Sequence, residues 1–264
     1  MVSARATFEH PKHFLTGMRH YPGHKYDNNV TAGRNAKMMK KMIWLAAAGL
    51  MTMSCAAQAA QEDEQLWLQT AVNVKLGAKW TLSNETNMRF SNARNGLYEI
   101  ENNLLLNYKA SKQVTIAAGY THDPQYAGGS FTVMERRARE QITFDNVAKI
   151  AGGSLSVRLR AEQRWRESIT GTGWRLRPYA KYTLPLSKDG KTTLTFGHES
   201  FVNLNSVSFQ SQSGWDRMRN NVAVKFPISK VLSADIGYLN QYSVVRGGID
   251  RMDHAATLGI ALSL

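Results

Sequence analysis

Two sets of residues in this chain have the types and spacing for chemistry. The first is His198-Glu199-Ser200 with Asn220 further on. A serine hydroxyl whose proton a histidine can take, with an amide orienting the ring, is a nucleophile constellation for acyl transfer. The second set is cationic. Arg158, Arg160, Arg164 and Arg166 alternate with Leu155, Val157, Leu159, Ala161 and Trp165, and Glu162 sits among the arginines. Beyond residues 168–173, Arg175, Arg177 and Lys181 alternate with Trp174, Leu176, Ala180, Tyr182 and Leu184. Arg137, Glu199 and Arg219 extend this charged set. Rings of arginine at a constriction favour anions, whereas arginines paired with carboxylates form a polar core and need no solute. In the first case a small anionic solute is the expected partner, with Arg158, Arg160, Arg164, Arg175 and Arg177 at the constriction and Glu162 as counter-charge.

Alternation with period two means strands, because successive side chains of a strand point to opposite faces. Leu155–Leu184 is therefore a hairpin with one apolar and one cationic face. Two settings fit it. A soluble β-sandwich gives its polar face to water, usually in mixed sign. A closed transmembrane barrel puts the apolar face in lipid and the charged face in its lumen. The rest of the chain favours the barrel. From Gln65 onward it reads as strands at about 66–76, 79–90, 97–109, 113–122, 132–147, 153–167, 173–185, 191–204, 214–226, 231–245 and 251–264. Short turns such as Ala151-Gly152-Gly153 alternate with mostly longer Gly/Ser/Asn-rich connections at 91–96, 123–131, 168–173, 205–213 and 246–250, as in outer-membrane barrels. The last segment alternates Leu258, Ile260, Leu262 and Leu264 with Thr257, Gly259, Ala261 and Ser263, the kind of strand that barrel-assembly machinery reads. Trp80, Phe90, Tyr98, Tyr108, Trp174, Trp215 and Phe226 fall near strand ends, where an interfacial girdle would sit. The expected fold is all-β, a transmembrane antiparallel up-and-down β-barrel of about ten to twelve strands. Eleven is an awkward count, since bacterial barrels of this kind have even numbers.

The net charge of +13 on 264 residues could suggest nucleic acid. Residues 1–59 hold eight of the 33 Lys+Arg and two of the 20 Asp+Glu, leaving 25 against 18 beyond them. Arginines interleaved with lipid-type residues at period two are not a nucleic-acid face, and zinc spacing, phosphate loop and helix-turn-helix pattern are all missing. Lys40-Lys41, the apolar run Met42 to Met53 and Ala57-Gln58-Ala59 have the three parts of a secretory signal in order. Residues 38–59 are thus expected to be a signal peptide cleaved after Ala59, with 60–264 as an outer-membrane barrel. Residues 1–37, which hold His10, His13, His20 and His24, read as a mis-assigned leader ahead of a start at Met38 or Met39; a metal-binding tract is the alternative. Cys55 lies in the removed segment, so no disulfide is expected. Its preceding Thr52-Met53-Ser54 fits a lipidation site poorly.

Some residues resist. Asn84, Thr86, Arg136 and Glu140 fall in the lipid-facing register, where a bulge could rescue them. His198 and Ser200 also face lipid, and reflecting the hairpin about its loop puts Asn220 beside His198.

Dispersed signatures resemble the domain-of-unknown-function 2490 family, grouped with bacterial outer-membrane barrels. They are Leu66-Trp67, Lys79-Trp80-Thr81-Leu82-Ser83 and Arg89; Arg137 and Arg139 before Glu140-Gln141; Arg158 to Arg164; Glu199, Phe201 and Asn203; and Arg217 and Arg219 before Gly237-Tyr238. The resemblance covers roughly 65–264. It implies the fold and the outer-membrane setting, with lipid and lipopolysaccharide as surroundings, and implies no activity. Outer-membrane phospholipases and lipid A deacylases carry a similar His-x-Ser pair on a barrel's outer face; there the serine is followed by Asn, here by Phe201. The charged lumen is the first expectation, without catalytic residue, metal or cofactor. A lipid hydrolase using His198, Ser200 and Asn220 is the second, and a soluble periplasmic β-sandwich the third.

Overall fold

The structure, a computed structural model, describes residues 60–264; the leader, the signal segment and Cys55 lie outside the described residues. Eleven strands follow in order: β1 Gln61–Lys75, β2 Trp80–Ser91, β3 Gly96–Lys109, β4 Val114–Ala127, β5 Ser130–Ile150, β6 Gly153–Arg166, β7 Gly173–Pro185, β8 Thr193–Asn203, β9 Gly214–Pro227, β10 Leu232–Ser243 and β11 Arg251–Ser263. Each pairs with its sequence neighbours, and β1 closes the sheet against β11. One sheet closing on itself rules out the β-sandwich alternative.

The closing pair differs from the antiparallel expectation. An up-and-down chain with an odd number of strands brings its first and last strands together pointing the same way. β1 and β11 therefore pair in parallel, from Gln61 opposite Arg251 to Asn73 opposite Ser263, while the other ten pairings are antiparallel. Among the described residues the strands number eleven, one for each segment expected from the sequence.

One expected loop is strand instead. The Gly/Ser-rich stretch 123–131 is mostly paired, and β4 and β5 meet in a turn of just Gly128-Gly129. Both glycines have positive φ, 55° and 79°, the geometry of a two-residue hairpin turn whose twist matches its strands. Tyr126 and Phe131 pack edge-on beside it, ring centroids 6.2 Å apart, and Pro124 is tolerated without interrupting the strand's pairing with β5.

The sides of the wall are inverted relative to a soluble protein. Among the described residues 25 polar or charged side chains are buried against eight hydrophobic ones. Leu104, Ile116, Leu159, Ile236 and Ile260 stand on the outside, each 47–56% exposed. In water such a surface would be a large exposed apolar patch; in a bilayer it is what a transmembrane barrel requires. Trp165, Trp174 and Trp215 gather toward one end, and Trp80, Tyr108 and Phe226 toward the other, as the two interfacial girdles.

Candidate functional site

The inward register of β5 to β9 places all nine expected lumen residues inside. Arg137, Arg160, Glu162, Arg164, Arg175, Arg177 and Glu199 are buried, and Arg158 and Arg219 are half-buried. Their arrangement is a set of carboxylate hubs. Glu135 takes the Nε of Arg137 at 2.7 Å, the Nε and Nη2 of Arg164 at 2.9 and 3.0 Å, and the Nη2 of Arg166 at 2.9 Å. Glu162 takes the Nε of Arg175 at 2.9 Å and the Nη1 of Arg177 at 2.7 Å. Glu199 takes the Nε and Nη2 of Arg177 at 3.1 and 2.8 Å, and an Nη of Arg158. On the facing wall Arg89 bridges Glu99 at 2.7 Å and Glu101 at 3.1 Å, and Arg137 reaches Glu101 and Asp123. A guanidinium presents a planar fork of donors, so one arginine can join two carboxylates across strands. These pairs fill the interior as apolar side chains fill a soluble core.

Two aromatic rings stand among these arginines. Trp67 and Phe201 are 2% and 1% exposed. Arg89 and Arg219 flank Trp67 at 4.3 and 4.8 Å from its ring centroid, and Arg177 and Arg219 lie over Phe201 at 4.3 and 4.8 Å. Trp67 also packs with Leu239 and Ala255. Stacking of this kind holds the flat face of a guanidinium while leaving its edge free to donate. Either side of this layer is a cavity. One, of about 290 Å³, is lined by ten arginines and three carboxylates, with Phe209, Gln210 and Ser211 of the segment between β8 and β9 folded against it. The other, of about 260 Å³, is lined by six arginines and four carboxylates, among them Glu85 and Asp235.

The sequence reading missed Trp67, Phe201, Asp63, Asp123, Asp216 and Asp253. Trp67 shares its register with Asp63, Gln65 and Gln69, and Phe201 with Glu199 and Asn203, so period two would have found both. Asp123 fell beyond a strand ended one residue too soon. Asp216 is the extra residue where pairing slips between Phe201 and Val202, a bulge with no sequence mark.

The outer wall answers the second expectation. His198 pairs with Asn220 across β8 and β9. Its Nδ1 lies 2.7 Å from Asn220 Oδ1 and its Nε2 3.2 Å from Ser200 Oγ. Other polar residues on the same wall are also joined. Asn102 donates to Asn84 at 3.1 Å and Thr86 at 2.7 Å, Gln163 donates to Glu140 at 3.3 Å, and Tyr238 meets His254 at 2.6 Å. Asn84, Thr86, Arg136 and Glu140 therefore do face outward, and no bulge redirects them; the slips lie at Arg89/Phe90, Gln125/Tyr126, Phe144/Ala148 and Phe201/Val202. Mutual hydrogen bonds lower the cost of polar atoms on an apolar wall. Among the described residues no group of three or more His, Cys, Asp or Glu is placed to hold a metal ion.

Three comparisons bear on this barrel. An uncharacterised protein of Methylorubrum extorquens is 27% identical over 220 residues, 82% of this chain and 96% of that protein. The NanC porin structure overlays with a TM-score of 0.48 at 13% identity, covering 76% of this chain and 99% of that one. The family described as "Protein of unknown function (DUF2490)" matches residues 64–253, and the chain belongs to it.

Proposed function

We propose that this porin-like barrel sits in the outer membrane, delivered through a cleaved signal, and that its lumen is a narrow, anion-favouring passage blocked at mid-height in the conformation described. The observation that carries this reading is the cavity wall with ten arginines against three carboxylates. A cationic wall around a confined space raises the local anion concentration and repels cations. Trp67, Phe201 and the arginines stacked on them are the block. The apolar outer wall and the alternating final strand support insertion into lipid. In planar bilayers under a KCl gradient, purified protein is expected to show small conductance with a reversal potential on the chloride side. No conductance, or cation selectivity, overturns the passage. Fractionation on a density gradient tests the location: recovery in the soluble periplasm overturns it.

A second reading has its own observation, the Asn220–His198–Ser200 chain of contacts on the outer wall. In it Ser200 Oγ attacks a lipid ester carbonyl while His198 Nε2 takes its proton. The ester C–O bond breaks, the departing alkoxide receives that proton, and water then releases the acyl group from serine. Ser200 stands two residues from Val202, which pairs with Trp215, so it lies roughly 7 Å along the strand from the aromatic girdle. This reading stands second because neighbouring polar pairs on the same wall need no catalytic explanation. Labelling of wild-type protein by a fluorophosphonate, lost in Ser200→Ala, together with fatty-acid release from phospholipid vesicles, supports it; no hydrolysis of phospholipid or lipid A by wild type ends it.

A further inference from the structure

The lumen arginines divide into two classes. Arg89, Arg137, Arg158, Arg164, Arg166, Arg175, Arg177 and Arg251 each reach a carboxylate within 3.1 Å. Arg217 and Arg219 reach none among the described residues. They stand two residues apart on β9, so both point into the lumen. Arg219 spends its Nε on Gln241 Oε1 at 2.6 Å. Arg217 Nε is buried without any partner. Both guanidinium planes rest on Phe201, at 4.8 and 5.6 Å from its centroid, and both line the 290 Å³ cavity. Two neighbouring cations that make no ion pair are costly to keep away from water. A fold that matches most of its lumen arginines to carboxylates leaves these two facing open space.

The same holds below the aromatic layer. Arg139 is bound only to the side-chain oxygens of Asn103 and Gln141, with its Nε unpartnered. Arg160 donates its Nε to Gln141 at 3.1 Å, and its nearest carboxylate oxygen, on Glu162, is 3.8 Å away. Both line the 260 Å³ cavity. Arg219 lines both cavities and lies between Trp67 and Phe201.

We propose that Arg217 and Arg219 form a binding site for a phosphoryl oxyanion, and that Arg219 passes the anion across the aromatic layer to Arg139 and Arg160. This rests on the reading of the lumen as an anion-favouring passage and adds the ligand class and the sites within it. A dianionic phosphate neutralises two guanidinium groups at once and offers oxygens to both forks, which chloride cannot. Phe201 fixes the guanidinium planes and leaves their edges to donate. The cavity volume admits free phosphate or a phosphate monoester on a small sugar, and the shared group is the phosphoryl oxyanion.

The test is calorimetry on the full-length protein in detergent, titrated with inorganic phosphate, with hexose 6-phosphate and with chloride. Saturable binding of either phosphate, with chloride at least tenfold weaker, is expected. Arg217→Gln and Arg219→Gln should each weaken phosphate binding tenfold or more, while Arg136→Gln, on the outer wall, should change it less than twofold. Tighter binding of the hexose phosphate assigns the site to esters, and equal binding assigns it to free phosphate. Neither arginine has an ion pair to lose, and retained heat-modifiability on gels confirms folding; should one variant fail to fold, the other carries the test. No saturable phosphate binding by wild type, or unchanged affinity in a folded variant, overturns the site. Anion-selective conductance with no phosphate binding would sink the site and leave the passage. Arginine-dependent binding in a barrel that conducts nothing would sink the passage and leave the site.

Discussion

Replacing Glu162 by glutamine should destabilise the barrel, and replacing its neighbour Arg160 by glutamine should not. Glu162 is 1% exposed and accepts hydrogen bonds from Arg175 at 2.9 Å and Arg177 at 2.7 Å. Removing one partner of a buried ion pair costs about 3–5 kcal/mol, because the other charge stays buried without compensation. Glutamine keeps one acceptor oxygen, which places the loss near the lower end, about 3 kcal/mol or roughly a hundredfold in the folding equilibrium. Arg160 is 6% exposed, shares its cavity with Arg139, Arg158 and Arg177, and has no carboxylate oxygen nearer than 3.8 Å. Its removal takes away a buried charge in cationic company, so the change should lie between neutral and about 2 kcal/mol stabilising. Urea unfolding in lipid vesicles, followed by tryptophan fluorescence and by the heat-modifiable gel shift, measures both. The opposite signs are the content of the prediction. If Arg160→Gln costs as much as Glu162→Gln, the division of lumen arginines into paired and unpaired is refuted.

Three further outcomes follow from local geometry. Ala151 has φ 48° in the turn before Gly152, a conformation that costs an L residue with a Cβ about 1–2 kcal/mol, so Ala151→Asn should raise stability by about 0.5–1 kcal/mol in the same urea assay. Gly153 lies beneath the Tyr182 ring, whose hydroxyl donates to Ile150 O at 2.8 Å; a Cβ there would collide with that ring, so Gly153→Ala should displace it and cost about 1 kcal/mol or more, whereas an unchanged midpoint would show the ring is not needed to cover the glycine. Asp250, in the segment between β10 and β11, accepts the Tyr242 hydroxyl and the Val245 amide at 3.0 Å, and these bonds hold its carboxyl below the usual range. That contribution is complete above the ordinary carboxylate value and is lost as pH falls through the lowered one. Protection of the Val245 amide from exchange should follow this profile, and that pH dependence should vanish in Asp250→Asn, whose remaining side-chain oxygen accepts the amide without titrating.

Period two made much of this protein legible in its residues alone. Alternation in Leu155–Leu184 marked out the hairpin and its charged face, and the same rule on β8 and β9 turned His198 and Ser200 outward and put Asn220 opposite His198. Alternation depends only on backbone geometry within a strand, so each strand carries it by itself. It also sufficed to bound the strand number at ten to twelve, where the structure has eleven, although the strand ends differ: β1 begins at Gln61, ahead of the expected 66, and β4 and β5 extend through most of 123–131.

Contacts between distant strands were decided by closure. Nothing local says that the odd strand number is met by a parallel β1–β11 pair, or that Trp67 on β1 comes against Leu239 and Ala255. Which arginine finds which carboxylate also depends on how far each strand is displaced along the next, and bulges alter that displacement. Arg137 meets Glu101, 36 residues earlier, only because β3, β4 and β5 pair in the register they do. The sequence determined by itself that the interior would be cationic and would need counter-charges. Only the tertiary structure decided that Arg217 and Arg219 are left over, because an unpaired charge is defined by every neighbour that fails to reach it.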